Sequence, residues 1–147
     1  MIDRQARDAA AKILQAFMDG AVSNYKYEDS FPKSKDDPGL HAIHVELWFY
    51  YSDVRQHKLI GGNTLSPEAR ALYERCVLFL KSDLEFQWPP PQLKLRYGFL
   101  RLLGLGRALK RREEKEASIG EKQFWPFLNQ DDYEKWLTKT TNAESRP

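Results

Sequence analysis

The 147-residue sequence has little cysteine and no long apolar run. Its single cysteine, Cys76, excludes a disulfide within the chain and favours a reducing, cytoplasmic location. No window reaches the ~18 uninterrupted apolar residues that a membrane-spanning helix requires, because Arg101 and Arg107 interrupt the most apolar stretch. The first ten residues carry charges and lack the apolar centre of a signal peptide, so we expect neither export nor a membrane span.

Catalytic motifs are missing as well. There is no glycine-rich phosphate loop with its lysine, no nucleophile elbow around a serine and no His-Glu-x-x-His zinc helix. We therefore predict no catalytic residues, no bound metal and no cofactor. The sequence favours a protein that is not an enzyme.

The sequence contains enough apolar residues for one hydrophobic core. Hydrophobic residues make up 41% and aromatic residues 13%, far from the composition of a disordered chain, and 30% charged residues indicate a well-solvated surface. A chain of this length falls in the usual size range of one domain. We predict a single helical domain over residues 1–139 and a disordered tail over 140–147.

Helix-capping signals divide the chain. Asp3 precedes an apolar stripe that ends before Gly20, Asp37 and Ser66 each precede a proline, and Asn129 precedes a pair of acidic residues. The predicted helices span residues 4–19, 38–59, 67–86 and a C-terminal segment that begins after residue 129. In the second helix, Trp48 and Phe49 lie off the main apolar face, so we expect this helix to be covered on more than one side.

Residues 93–112 are harder to assign. Apolar and basic residues alternate over 93–99, which is typical of a short strand or hairpin, whereas 100–112 has the pattern of a helix weakened by two glycines. The predicted fold is mainly α: a small bundle of four to five helices, with a strand or hairpin near 93–99 as the exception. The first three helices form the core and the C-terminal aromatic segment closes it.

The segment 93–112 also concentrates positive charge. It contains seven of the 23 basic residues and no acidic one, which leaves the remainder of the chain at about −5. Three interpretations stay open: part of the core with a basic rim, a surface for a protein partner, or a site for peripheral membrane or nucleic-acid binding. The predicted partner-binding residues are Lys94, Arg96, Tyr97, Arg101, Arg107 and Trp125.

Trp125 belongs to a second aromatic stretch. With Phe124 and Phe127 it surrounds Pro126, and each ring buries about 150–250 Å² when it docks. The stretch predicts a clasp that ties the C-terminal helix to the bundle. Its alternative is an aromatic hot spot for a partner.

The histidines and one acid raise the alternative of a small helical metal-dependent hydrolase. His41 and His44 share one helix edge, and Asp83 falls within the apolar sector of the third predicted helix, where an unpaired carboxylate is costly. A buried Asp83 needs a donor, for which Arg101, a tyrosine hydroxyl and His44 are candidates. A zinc site needs more ligands than this helix edge supplies.

The stretches "FLKSDLEFQWP", "FWPF" and "DDYE" are similar to those of small bacterial proteins grouped only as an uncharacterised family. The resemblance covers about the last two thirds of the chain. It implies a bacterial cytosolic origin, no known activity and no site residues. From the residues themselves we predict a non-catalytic protein-interaction protein, of an immunity or regulatory type, with an unknown partner and an undetermined oligomeric state.

Overall fold

A computed structural model describes residues 1–89, 111, 114 and 117–144. These residues are mainly helical and contain no strand, which confirms the predicted fold class. The α-helices are α1 (Arg4–Met18), α2 (Asn24–Ser30), α3 (Pro38–Leu47), α4 (Pro67–Leu80) and α5 (Gln130–Glu144). Short 3-10 turns cover Trp48–Tyr50, Gly61–Asn63 and Lys122–Phe124, and residues 117–119 are helical too.

Helices α1, α3, α4 and α5 begin at the caps that the sequence predicts. The Asp3 carboxylate accepts a hydrogen bond from the backbone N–H of Ala6 at 3.0 Å, and the Ser66 hydroxyl accepts one from Ala69 at 3.2 Å. Gly20 follows α1 with a φ of 68°, the left-handed conformation that glycine adopts without strain. The Asp3 and Ser66 side chains accept hydrogen bonds from N–H groups that have no partner within the helix, and Gly20 turns the chain away at the end of α1.

Helices α1 and α4 are antiparallel neighbours. At the start of α1, Arg4 donates hydrogen bonds to the carbonyl oxygens of Leu80 and Ser82, at and just beyond the end of α4. At the start of α4, Arg70 donates to the carbonyl oxygen of Met18, the last residue of α1, at 3.4 Å. Each helix therefore places an arginine on the carboxyl end of the other, where the helix dipole favours positive charge.

One apolar core joins α1, α2, α3 and α4. Helix α4 buries almost its whole second half, including Cys76, a free thiol with no exposure. The other large side chains that are fully buried include Phe17, Leu14, Leu40, Ile43, Tyr27 and Tyr73. Helices α1, α3 and α4 thus supply most of the interior.

Two predicted helix ends are wrong. Helix α4 ends at Leu80 instead of residue 86, because the Ser82 hydroxyl donates to the carbonyl oxygen of Phe79 and accepts from the N–H of Leu84, which folds the chain away. Helix α3 ends at Leu47 instead of residue 59. Beyond the turn Trp48–Tyr50, the chain is irregular up to residue 60.

The connection between α1 and α3 contains a helix that the sequence analysis does not predict. Ser23 caps α2 through a hydrogen bond from the N–H of Lys26. The turn-rich sequence of this connection also carries three aromatic residues, which would hold it to the body if they were buried. Tyr27 and Phe31 are buried and do so, whereas Tyr25 is exposed.

The C-terminal aromatic segment packs onto the core. Phe127 is fully buried and its ring meets that of Phe79 edge-on, with 5.4 Å between centroids. Trp88 donates its indole N–H to the carbonyl oxygen of Phe127 at 3.2 Å. Asn129 caps α5 by accepting from the N–H of Asp132 at 2.9 Å. The predicted aromatic clasp is therefore present between these residues.

Helix α5 carries two adjacent apolar residues that could dock it on the core, and only one of them does. Trp136 packs against the core, whereas Leu137 is exposed. The helix continues to Glu144, within the segment 140–147 that the sequence analysis assigns to a tail.

The basic segment lies outside this description. The predicted strand or hairpin at 93–99 is not among the described residues, and of the predicted helix at 100–112 only Arg111 is, in helical conformation. None of the helices in the described part combines the length and the apolar character needed to cross a membrane.

Candidate functional site

Three consecutive aromatic residues form a turn on the protein surface. Trp48, Phe49 and Tyr50, here called the aromatic turn, continue α3 as one 3-10 turn and are 37%, 36% and 39% exposed. The rings of Trp48 and Phe49 lie 5.7 Å apart between centroids. Large apolar side chains that form one exposed patch are typical of binding surfaces, whereas singly exposed apolar side chains are common on protein surfaces.

The aromatic turn stands on a rigid base. Leu47, directly before it, is fully buried and its carbonyl oxygen accepts a hydrogen bond from the hydroxyl of Tyr73 on α4 at 3.1 Å. The ring of Tyr50 meets the ring of Tyr73 edge-on at 6.4 Å. The turn is therefore attached directly to the core, through Leu47 and Tyr73.

The loop after the turn, residues 51–59, is held by one buried residue of α2. The side-chain amide of Asn24 donates to the carbonyl oxygens of Ser52 and Arg55 at 3.0 and 3.1 Å, and its oxygen accepts from the N–H of His57 at 2.9 Å. The Asn24 backbone N–H donates to the His57 carbonyl oxygen. These bonds replace the helical bonds that a longer α3 would have made.

Beneath the turn and the loop lies a group of polar side chains here called the polar cluster: Tyr27, Glu28, His44 and Tyr51. Each has a buried polar atom without a hydrogen-bond partner in the described part of the chain, namely the two tyrosine hydroxyls, Oε1 of Glu28 and Nδ1 of His44. The Tyr27 ring centroid is 5.9 Å from that of Tyr51 and 6.0 Å from that of His44. The Glu28 carboxylate is close enough to Tyr51 to interact with it electrostatically, without a hydrogen bond of normal geometry.

Burial sets the protonation states in the polar cluster. It raises the pKa of the Tyr27 and Tyr51 hydroxyls, and the Glu28 carboxylate raises the pKa of Tyr51 further. It also lowers the pKa of His44, with smaller contributions from His41 and Lys33. At neutral pH the two hydroxyls therefore stay protonated and the imidazole is neutral.

The predicted histidine and aspartate site is not assembled. Asp83 was expected in an apolar sector, but it is exposed and lies 3.5 Å from the Arg4 guanidinium, because α4 ends before it. His41 is exposed on α3, whereas His44 packs against the ring of Phe31 at 4.8 Å. Among the described residues, no group of three or more histidine, cysteine, aspartate or glutamate side chains could hold a metal ion.

Of the predicted partner-binding residues, only Trp125 is described. Its ring meets that of Phe86 edge-on at 6.3 Å, and its carbonyl oxygen accepts from Arg75 at 3.2 Å. Trp125 therefore contributes to packing, and its role toward a partner stays a prediction. Lys94, Arg96, Tyr97, Arg101 and Arg107 lie outside the described residues.

Comparison of the chain with protein-family models, with curated proteins and with solved structures finds no match. The resemblance to a family of small bacterial proteins therefore stays a prediction.

Sequence reasoning missed both the aromatic turn and the polar cluster. The signal for the turn was present: Trp48 and Phe49 lie off the apolar face of α3. It was interpreted as a helix covered on several sides, but both side chains are exposed. The polar cluster gave no signal, because α2 was not predicted and its residues come close to α3 only through tertiary packing.

Proposed function

We propose that this chain is a non-catalytic protein-interaction protein of an immunity or regulatory type, and that the aromatic turn is part of the surface that binds its partner. The exposure of Trp48, Phe49 and Tyr50 on a base anchored to Tyr73 carries this proposal. Aromatic residues, with tryptophan and tyrosine foremost, dominate the binding energy of protein interfaces. A rigid base means that little conformational entropy is lost on binding.

The basic segment extends this proposal. Arg96, Arg101 and Arg107, with Lys94, Tyr97 and Trp125, are proposed as further partner contacts, because arginine is also enriched at hot spots. A cytoplasmic location, expected from the single cysteine, belongs to the same proposal. Binding of the basic segment to membranes or nucleic acid instead predicts association with anionic vesicles or oligonucleotides that weakens steeply with salt.

The test begins with affinity capture of a partner by the full chain, followed by dissociation constants measured with the purified partner. Substituting Trp48→Ser together with Phe49→Ser should weaken binding about 30-fold or more, as expected for hot-spot residues. The matched control is Leu137→Ser, which removes an exposed apolar side chain from α5. Equal affinities of the two variants, with the fold intact by circular dichroism, would refute the assignment of the aromatic turn.

The basic segment is tested in parallel. Alanine at Arg96, Arg101 and Arg107 together should leave the fold intact and abolish capture of the partner. If this variant still captures the partner, the segment is not part of the interface.

A further inference from the structure

The four buried side-chain atoms without a hydrogen-bond partner in the described part of the chain all belong to the polar cluster. About nine in ten buried polar groups in native structures have a hydrogen-bond partner, and a buried group without one calls for a water, ion or ligand. Here four such atoms come from α2, α3 and the start of the loop 51–59. Tyr27 is fully buried, whereas Glu28, His44 and Tyr51 are half-buried.

The chemistry of these atoms selects the ligand. Oε1 of Glu28 is buried and Glu28 forms no ion pair with any described residue. The two hydroxyl oxygens and a neutral imidazole nitrogen add further acceptors. The ring of Tyr27 contacts those of Phe31 and Tyr51 edge-on, and aromatic rings attract cations. The Glu28 carboxylate would repel an anion, and a water molecule would leave its negative charge uncompensated.

We propose that the polar cluster is a binding site for a primary ammonium group, with Glu28 as the charge partner and with Tyr27, Tyr51 and His44 as hydrogen-bond acceptors. An ammonium group has three N–H donors and one positive charge, which matches three acceptor side chains around one carboxylate. This site adjoins the aromatic turn through Tyr51 but shares no residue with it.

The ammonium group has two sources, a free small amine or a lysine side chain of another protein. The chemistry that recognises the group is the same in both. Two probes distinguish them: n-butylammonium, and Nα-acetyl-lysine methylamide, in which the same four-carbon chain is attached to a peptide backbone.

The experiment measures thermal unfolding midpoints and calorimetric affinities of the full chain with n-butylammonium, and with n-butanol as the neutral probe of equal chain length. The ammonium should raise the midpoint in a concentration-dependent way, and the alcohol should not, because a ligand that binds only the folded state stabilises it. Binding of the lysine probe as well assigns the site to lysine side chains and amines. Binding of n-butylammonium alone assigns it to free amines.

Matched substitutions locate the site. Glu28→Gln removes the charge from the cluster and should lower the affinity for n-butylammonium at least tenfold. Asp29→Asn removes a charge from the next residue of α2, which is exposed, and should leave the affinity unchanged. Tyr51→Phe removes one acceptor and keeps the ring, which gives a second variant if Glu28→Gln fails to fold.

Nuclear magnetic resonance of the unaltered chain supplies a readout that requires no substitution. Addition of n-butylammonium should shift the ring signals of His44 and Tyr51. Shifts confined to other residues, equal stabilisation by n-butylammonium and n-butanol, or equal affinities of Glu28→Gln and Asp29→Asn would each overturn the proposal. The aromatic-turn variant keeps all four residues of the cluster, so this proposal and the proposed function fail independently.

Discussion

His44 is the residue whose protonation state most clearly depends on the fold. Its ring packs against those of Phe31 and Tyr27, and its Nδ1 is buried without a hydrogen-bond partner in the described part of the chain. Burial lowers its pKa, and positive charge on His41 and Lys33 acts in the same direction. Tyr27 stays neutral because burial raises its pKa. Burial and the two cationic neighbours His41 and Lys33 therefore disfavour an imidazolium ion at position 44.

This environment predicts that acid destabilises the fold through His44. The unfolded chain binds a proton at this residue near pH 6.5, whereas the folded chain does so only at lower pH. The full contribution is therefore present above pH 6.5 and is lost as the pH falls through 6.5 toward the folded-state pKa. The slope cannot exceed about 1.4 kcal/mol per pH unit, the limit for one proton.

The check is the free energy of unfolding against pH for the unaltered chain and for His44→Gln. The difference between the two curves should rise toward pH 6.5 and be flat above it. A proton resonance titration should give a His44 pKa below 6.5 in the folded state. A difference curve that is flat throughout would contradict the prediction.

At the scale of elements, local signals predicted where helices begin better than where they end. A cap such as Asp3 or Ser66 acts on backbone groups two or three residues away, so the sequence around it contains the relevant information. The end of α3 depends instead on Asn24, whose partners in the loop are about 30 residues distant. The periodicity of residues 48–59 is compatible with a helix, whereas the tertiary hydrogen bonds of Asn24 favour the loop.

Asn24→Ala should therefore loosen the loop 51–59 specifically. The substitution removes three side-chain hydrogen bonds and should lower the free energy of unfolding by about 1–3 kcal/mol. Amide hydrogen exchange of residues 52–57 should accelerate about tenfold or more, while α1 and α4 change less. Asn63→Ala, at an exposed position just beyond the loop, is the control. Uniform acceleration across all helices would argue that Asn24 supports the whole core and not this loop.

At the scale of the molecule, composition and periodicity predicted the fold class and the aromatic clasp, but not the charged contacts that join the helices. The local sequence predicts Asp37 as a helix cap but gives no partner for Arg7, although Arg7 shares its helix face with Ala10, Ala11 and Leu14. An arginine on such a face has a partner only once the fold is formed. The polar cluster could not be predicted for the same reason, because its side chains come together only in the folded chain.

Arg7 and Asp37 form a fully buried ion pair at the point where three helices meet. The Arg7 guanidinium binds the Asp37 carboxylate through two hydrogen bonds of 2.5 and 3.1 Å. Its remaining N–H groups donate to the carbonyl oxygens of Ser82 and Leu84 beyond α4. Asp37 also accepts from the N–H of Gly39 in α3. The pair thus connects α1, the start of α3 and the end of α4 in one hydrogen-bonded network.

Because the pair is buried, removing one partner should cost far more than losing an ordinary surface ion pair. Arg7→Met leaves the Asp37 charge buried without compensation and should lower the free energy of unfolding by about 3–5 kcal/mol. Arg4→Met is the control, since Arg4 also donates to the Ser82 carbonyl oxygen but is partly exposed, and it should cost less. In the double variant Arg7→Met with Asp37→Ala no charge stays buried at this point, so its cost should be smaller than the sum of the two single costs. Urea denaturation of the four variants measures their free energies of unfolding. If Arg7→Met lowers the free energy of unfolding no more than Arg4→Met does, the buried pair does not stabilise the contact of the three helices.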